Sequence, residues 1–195
     1  MAARGVGSRF SHDRSGIAAV EFALVLPFLM TAWLGMEQFS EYATADARTL
    51  MAAQSVANLT AQITPGQTNA FTDIAAAATQ IMQLSSTSTA LTVDVAGVAY
   101  DSGGHPTLTG GWRCTTTGGP APDASVPLAM ATGLGSGTQV VVMVNVKYAF
   151  QPSISFGFLG PAIQAALGTQ TLSERSFAMP RLTQTTPLST SPCSS

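Results

Sequence analysis

Apolar residues form one long run near the N-terminus of this chain and shorter periodic stretches after it. The long run begins after Gly16 and covers about 20 residues, enough to span a bilayer core of ~30 Å at 1.5 Å per residue. Pro27 lies inside the run, but membrane helices tolerate proline with a kink. The pattern predicts a transmembrane segment at 17–36, preceded by a basic leader at 1–16.

The same helix is predicted to continue beyond the apolar run, from about Ser15 to Ile63, and to end before Pro65 and Gly66. Its outer half has one polar side and one apolar side, so the 3.6-residue period indicates an amphipathic helix. The apolar side is expected to carry a soluble domain and contains Phe39, Ala43, Ala47, Leu50, Ala53 and Ala57. A second helix is predicted from Asn69 to Leu84, with Thr68 or Asn69 as its cap.

The pattern changes to that of strands in the second half of the chain. Strands are predicted at Ala90–Val98, Gly111–Thr117, Gln139–Phe150 and Thr169–Ala178. A hairpin turn is expected at 101–104, and irregular connections are expected at 118–127 and 133–137. The predicted fold class is therefore α+β, with an antiparallel sheet of about four strands packed on the outer half of the long helix. Residues 37–195 would form one domain outside the cytoplasm, ending in a Thr/Ser/Pro-rich tail.

An apolar segment at 151–167 lies between the last two predicted strands. It is about 17 residues long and Pro161 breaks it, which makes a second membrane span improbable. Two interpretations stay open for this segment. It covers one edge of the sheet, or it is a hydrophobic surface that contacts the membrane or another subunit.

Charge indicates how the chain lies in a membrane. Three arginines, Arg4, Arg9 and Arg14, precede the apolar run, whereas the first charged residues after it are Glu37 and Glu41. Because arginine and lysine favour the cytoplasmic side, the N-terminus is expected in the cytoplasm and the domain outside it, at the bacterial inner membrane. Only 9% of residues are charged and no basic patch follows the leader, so no nucleic-acid partner is expected.

The chain has two cysteines, Cys114 and Cys193. Outside the cytoplasm they can form an intramolecular disulfide, which would join the Thr/Ser/Pro-rich tail to the domain. Two free thiols, or an intermolecular bridge, are the alternatives.

The sequence shows no set of residues typical of an enzyme. The two histidines and two cysteines are too far apart in the chain to suggest a metal site, so neither a metal nor another cofactor is expected. The glycine-rich stretch 133–138 lacks the third glycine of a dinucleotide loop and the G-K-[ST] ending of a P-loop. Asp94, Asp101 and Asp123 are interpreted as strand-face and turn residues, and the protein is expected not to be an enzyme.

Glu21 is the unusual residue of the apolar run. A carboxylate placed in lipid is costly and suggests a functional site. It stands five residues after Gly16 and directly before Phe22, in the sequence R-S-G-I-A-A-V-E-F-A-L-V-L-P. An ordinary signal peptide would need a shorter apolar core and small residues at its cut, and a plain membrane anchor has no need of Glu21.

This opening resembles the processing site of TadE-like minor pilins and pseudopilins of tight-adherence pili, over roughly residues 11–60. The resemblance implies that a prepilin peptidase cleaves the bond between Gly16 and Ile17, and that Glu21 and Phe22 serve in recognition and assembly. A weaker resemblance farther along the chain is carried by Lys147, Tyr148, Pro152, Met179, Pro180 and Arg181.

The resemblance implies a pilin-like fold and a part in assembling a type IVb-like pilus used for adhesion to surfaces. The expected partners are the inner membrane, a prepilin peptidase and other pilins or pseudopilins, and the protein could also reach the pilus outside the cell. The alternative is a membrane-anchored periplasmic or surface interaction module that never enters a filament and keeps residues 1–16.

Overall fold

The computed structural model describes residues 15–63, 70–85, 88–137, 139–151 and 168–181. The chain divides into two compact units, residues 1–41 and 42–195. Helix α1, Ser15–Thr60, is 46 residues long and remains α-helical through Pro27, as predicted. Residues 1–14 of the predicted leader, most of the segment 151–167 and the tail from 182 onward lie outside the described residues.

The first unit contributes the apolar part of α1. Among the described residues, α1 from Gly16 onward is the one helix that is long and apolar enough to cross a membrane. Its most apolar 18 residues have a mean hydropathy of 2.0, and none of them is buried. A long apolar helix segment whose residues are all unburied is compatible with membrane anchoring.

The second unit contains a four-stranded antiparallel sheet with the order β2-β1-β3-β4. The strands are β1, Leu91–Tyr100; β2, Pro106–Thr115; β3, Val140–Phe150; and β4, Gln170–Ala178. Strands β1 and β3 lie in the centre and are rich in valine. Both are buried along most of their length, which requires that both faces of the sheet be covered.

The first face of the sheet packs against helices. The outer part of α1 and helix α2, Ala70–Ile81, cover this face and together with it form the larger hydrophobic core. The residues of the core are small or β-branched where helix and sheet meet, and they include Ala52, Ala53, Val56, Val93, Val95, Val144 and Val146. The α+β class and the sheet packed on the outer half of α1 are therefore confirmed.

The side of α1 that faces this core differs from the predicted side. Ala53 and Ala57 are buried as expected, but Phe39 is 72% exposed and Leu50 is 40% exposed. Ala43 and Ala47 are also exposed. The buried side instead runs through Thr49, Ala52, Val56 and Thr60. Thr49 fits there because its hydroxyl donates a hydrogen bond to the Ala45 carbonyl, at 2.8 Å.

The second face of the sheet is covered by a long connection between β2 and β3. We call residues 116–137 the strap. A 3-10 helix in the strap, Leu128–Ala131, packs with Val126 on a smaller apolar cluster formed by Ala96, Val98 and Met143 of the sheet. The predicted irregular connections are thus parts of one segment that crosses the sheet.

Two glycines allow the strap backbone to lie directly on the sheet. A Cβ atom at Gly119 would lie 2.4 Å from the Leu91 carbonyl oxygen, and one at Gly135 would lie 2.6 Å from the Tyr100 ring. The Tyr100 hydroxyl donates a hydrogen bond to the Ala131 carbonyl, at 2.7 Å, and so holds the far end of the strap.

Strand β2 begins earlier than predicted. Pro106 and Thr107 pair with Tyr100 and Ala99 of β1, and the pairing continues to Thr115 after a register shift between Gly97 and Ala99. The predicted strand starts at Gly111, whereas β2 extends five residues farther toward the N-terminus because β1 pairs with it on both sides of the shift. Pro106 is tolerated because it is the first residue of an edge strand.

Candidate functional site

The predicted processing site lies in the first turns of α1. Gly16 is exposed, and a Cβ atom added there would meet nothing within 4 Å. Ile17 is 60% exposed. No described residue covers the peptide bond between Gly16 and Ile17, so the described part of the chain does not block access to this bond.

Glu21 and Phe22 also lie on the exposed surface of α1. Among the described residues, no ion pair or side-chain hydrogen bond involves Glu21. If the segment enters lipid, a charged carboxylate without a partner in the described chain is costly there, and a cation from elsewhere would stabilise it.

Cys114 lies on β2 in the larger core and is only 2% exposed. Its sulfur is disulfide-bonded, and no described cysteine has a free thiol. Cys193 lies outside the described residues, and the pairing of Cys114 with Cys193 stays a prediction.

The residues of the weaker resemblance do not form one site. Lys147 lies under the strap, whereas the Tyr148 side chain packs against the larger core. Arg181 holds the chain after β4 against the end of α1. Its amide donates a hydrogen bond to the Ala61 carbonyl at 3.1 Å, and its guanidinium donates one to Asn58 Oδ1, also at 3.1 Å. Pro152 lies outside the described residues.

The largest polar cluster of the described chain lies between the second face of the sheet and the strap. The strand register places Thr115, Asp94, Asn145 and Arg175 side by side, one on each strand. We call the cluster the sheet-face network; it comprises Asp94, Arg113, Thr115, Asp123, Asn145, Lys147, Ser173 and Arg175.

Asp123, in the strap, is the centre of the sheet-face network. Its Oδ1 accepts a hydrogen bond from Lys147 Nζ at 2.8 Å. Its Oδ2 accepts hydrogen bonds from Arg175 Nη2 at 2.9 Å and from Asn145 Nδ2 at 3.0 Å. The hydrogen bond from Lys147, and next the one from Arg175, hold the pKa of the Asp123 carboxyl below its usual range. The carboxylate is thus stabilised in its charged form.

Asp94 and Arg113 form the third ion pair of the sheet-face network, after those of Asp123 with Lys147 and Arg175. Arg113 donates to Asp94 through Nε at 2.9 Å and through Nη2 at 2.7 Å, which is bidentate geometry. Thr115 Oγ1 donates a third hydrogen bond to Asp94, at 3.0 Å. The hydrogen bond to Asp94 raises the pKa of the Arg113 guanidinium. Each of the two carboxylates of the network therefore accepts three hydrogen bonds.

The cations of the network also bind the strap backbone. Arg113 Nη2 donates to the Asp123 carbonyl at 2.6 Å, and Lys147 Nζ donates to the Ala121 carbonyl at 2.9 Å. Thr92 Oγ1 donates to the Pro120 carbonyl at 2.7 Å. The described side chains of the cluster thus support a structural role, in which they fasten the strap to all four strands.

Little space remains in the sheet-face network for a ligand. A cavity of about 10 Å³ lies beside Asp94, Asp123 and Asn145, which is the size of one water molecule. Among the described residues, no group of three or more His, Cys, Asp or Glu side chains is placed to hold a metal ion.

Asp101 occupies the predicted turn between β1 and β2. Its Oδ1 accepts hydrogen bonds from the amides of Gly103, at 2.9 Å, and His105, at 2.7 Å. The hydrogen bond from the His105 amide is the main cause of the lowered pKa of the Asp101 carboxyl. The interpretation of Asp94 and Asp101 as strand-face and turn residues is confirmed, whereas the position of Asp123 as the centre of an ionic cluster was missed.

A signal for the sheet-face network does exist in the sequence. Asp94 in β1, and Asn145 and Lys147 in β3, each directly follow a valine, so each lies on the face of its strand opposite that valine. Burial of several charges on one face requires opposite charges nearby. The sequence does not reveal which loop supplies them.

Comparison of the chain with models of protein families, with curated proteins and with solved structures gave no match in any of the three. Functional inference therefore rests on the residues and their arrangement.

Proposed function

We propose that this chain is a membrane-anchored minor pilin or pseudopilin that takes part in assembling a tight-adherence pilus used for adhesion. The observation that carries the proposal is Glu21: a carboxylate in the apolar part of α1, one turn after Ile17, without an ion-pair partner among the described residues.

The chemistry of processing supplies a partner for Glu21. Cleavage between Gly16 and Ile17 would create an amine at Ile17 and remove the arginines of the leader. The next cation in the sequence is Arg48, far beyond the apolar segment. The Ile17 amine of a neighbouring subunit is then the natural partner of Glu21, because an ion pair in lipid offsets part of the cost of burying each charge. Such a pair would fix the axial register between neighbouring subunits.

The outward side of α1 in the second unit supports contact between subunits. Ala43, Ala47, Leu50 and Met51 are exposed on this part of α1, and Met51 is 58% exposed. Small residues allow a second helix to approach closely, and the larger apolar side chains lose contact with water when it does. Helices that bundle along this side would form the core of a filament.

The first experiment determines the N-terminus of the protein extracted from membranes, by intact mass and N-terminal sequencing. The proposal expects a chain that begins at Ile17. A chain that keeps residues 1–16 would instead support a membrane-anchored interaction module that stays outside the filament.

The second experiment compares Glu21→Ala with Glu37→Ala, which removes an exposed carboxylate beyond the apolar segment of the same helix. Alanine makes the span more apolar, so Glu21→Ala protein should remain in the membrane and be processed at least in part. Assembly should fail, giving a loss of surface pili and of adherence that Glu37→Ala does not cause. Wild-type piliation and adherence in the Glu21→Ala strain would refute the assembly role.

A further inference from the structure

The strap has the features of a movable segment. Glycines with positive φ lie near both of its ends: Gly118 has φ of 96°, and Gly133 and Gly137 have φ of 80° and 61°. Glycine adopts this conformation without the cost that other residues incur, and small residues at segment ends often absorb the rotation of a hinge.

One strap side chain makes several of the contacts that hold the middle of the strap. The Asp123 carboxylate joins the strap to β3 and β4 through Lys147, Asn145 and Arg175. Lys147 also donates to the Ala121 carbonyl, and Arg175 contacts the Met130 sulfur. The Asp123 carbonyl accepts the hydrogen bond from Arg113 of β2. The charged groups that face Asp123 are therefore Arg113, Lys147 and Arg175, with Asp94 of β1 engaged by Arg113.

The rest of the domain does not depend on the strap for its main core. The larger core lies on the other face of the sheet, between the strands and the two helices, and contains no strap residue. The strap contributes only to the smaller cluster, through Val126, Ala131 and Leu128. Regions with few buried apolar contacts open at a lower free-energy cost than the core of a domain. The strap can therefore detach from the sheet before the larger core unfolds.

We propose that the strap opens as a unit, hinged near its terminal glycines, while the sheet and helices stay folded, and that Asp123 is the latch that keeps it closed. Opening exposes an apolar strip of Ala96, Val98 and Met143 together with the cations of β2, β3 and β4. This conformational device is independent of the pilus role proposed above.

The test measures opening through the reactivity of buried thiols in the full-length protein in detergent micelles. Val126→Cys places a thiol on the buried side of the strap, and Val144→Cys places one in the larger core on β3. Each variant is treated with a maleimide under non-reducing conditions, and mass spectrometry follows the labelling. The proposal expects the thiol at position 126 to react faster than the thiol at position 144.

Asp123→Asn is then added to each cysteine variant, with Asp101→Asn as the matched control in an exposed turn. Asp123→Asn should speed labelling at position 126 by ~10-fold or more, since charge-assisted hydrogen bonds usually exceed the ~1.4 kcal/mol that corresponds to tenfold. Labelling at position 144 should not change, and Asp101→Asn should change neither rate.

Three results would overturn the proposal. Equal rates at both positions, or equal acceleration by Asp123→Asn, would mean that the strap opens only when the whole domain unfolds. No acceleration at position 126 would mean that Asp123 is not the latch. If Asp123→Asn protein does not fold, Thr92→Val removes only the hydrogen bond to Pro120, and a few-fold acceleration confined to position 126 is expected. Its absence would equally refute the proposal.

Discussion

Replacing Gly97 by alanine tests a close packing contact in the larger core. Gly97 of β1 lies opposite Trp112 of β2, and the indole ring lies close to the glycine. An added Cβ atom would lie 2.4 Å from Trp112 Nε1 and 2.7 Å from Cε2. No side-chain contact is that short, so the indole has to move, although it is 9% exposed and belongs to the larger core.

The expected loss of stability follows from how far the indole moves. Overpacking that is absorbed by small shifts costs ~1–3 kcal/mol. Complete loss of a buried tryptophan side chain costs ~3–5 kcal/mol. Alanine also has less conformational freedom than glycine in the unfolded chain, which stabilises the folded state by ~0.4–1 kcal/mol and offsets part of the loss. We therefore expect Gly97→Ala to lower the free energy of unfolding by about 2–3 kcal/mol.

The measurement is urea unfolding of the full-length protein in detergent, followed by far-UV circular dichroism. Gly103→Ala is the matched control, because a Cβ there meets mainly the exposed His105 ring, and its effect should stay within ~0.5 kcal/mol. In a Trp112→Leu background, Gly97→Ala should cost at least ~1 kcal/mol less, since neighbouring substitutions couple through the contact they share. An unchanged midpoint for Gly97→Ala, or the same cost in both backgrounds, would refute the reasoning.

Three further predictions concern the network, the processing site and the cysteines. The pKa of the Asp123 carboxyl is lowered in the folded state, so its charged form should stabilise the fold above the usual aspartate pKa of ~4. This stabilisation should be lost as the pH falls through the lower pKa of the folded state. Urea midpoints measured between neutral and acid pH should show the loss, and Asp123→Asn should make it smaller. Gly16→Val should block processing because a small residue is needed before the scissile bond, and a product of mature size on a gel would show that the cleavage site is elsewhere. Non-reducing mass spectrometry should find Cys114 linked to Cys193, whereas a disulfide-linked dimer or two thiols that react with iodoacetamide would contradict this intramolecular disulfide.

The sequence predicts the elements of this fold well because their periods are distinct. Strand β3 is a run of β-branched and aromatic residues, which is typical of a strand, and α1 is long and apolar, which is typical of a helix. The residue pattern of each therefore indicates one type of secondary structure. The start of β2 was missed because glycines at 110–111 have no side-chain pattern, and only pairing with β1 carries the strand across them.

The buried side of α1 could not be read correctly because alanine occurs on both sides of the helix. Ala43 and Ala47 are exposed, whereas Ala52, Ala53 and Ala57 are buried. Alanine has too little apolar surface to decide which side packs, and Thr49 and Thr60 lie on the buried side although they look polar. Contacts from strands far along the chain decide the orientation.

The complete sheet-face network could not be predicted from the sequence for a related reason. Strand periodicity places Asp94, Asn145 and Lys147 on one face, but Asp123 lies in a connection without period. Its partners come from β3 and β4, and only the folded topology brings them together. For the predicted processing site the limit is different, since Gly16, Ile17 and Glu21 were selected on a local motif that does not depend on folding, and their role stays a prediction.

The path of the strap also has a consequence for how the chain folds as it emerges from a ribosome or a translocon. Strands β1 and β2 are neighbours in sequence and can pair as soon as both are available. Strand β3, however, pairs with the far side of β1, so the whole of β2 and the strap must first be drawn into a closed loop. The strap then finds its docking groups only after β3 and β4 have supplied Lys147 and Arg175. Until β3 and β4 have paired, the face of the β1–β2 hairpin that the strap later covers is exposed to solvent. The nascent domain is therefore most prone to non-native association during the synthesis of residues 116–178.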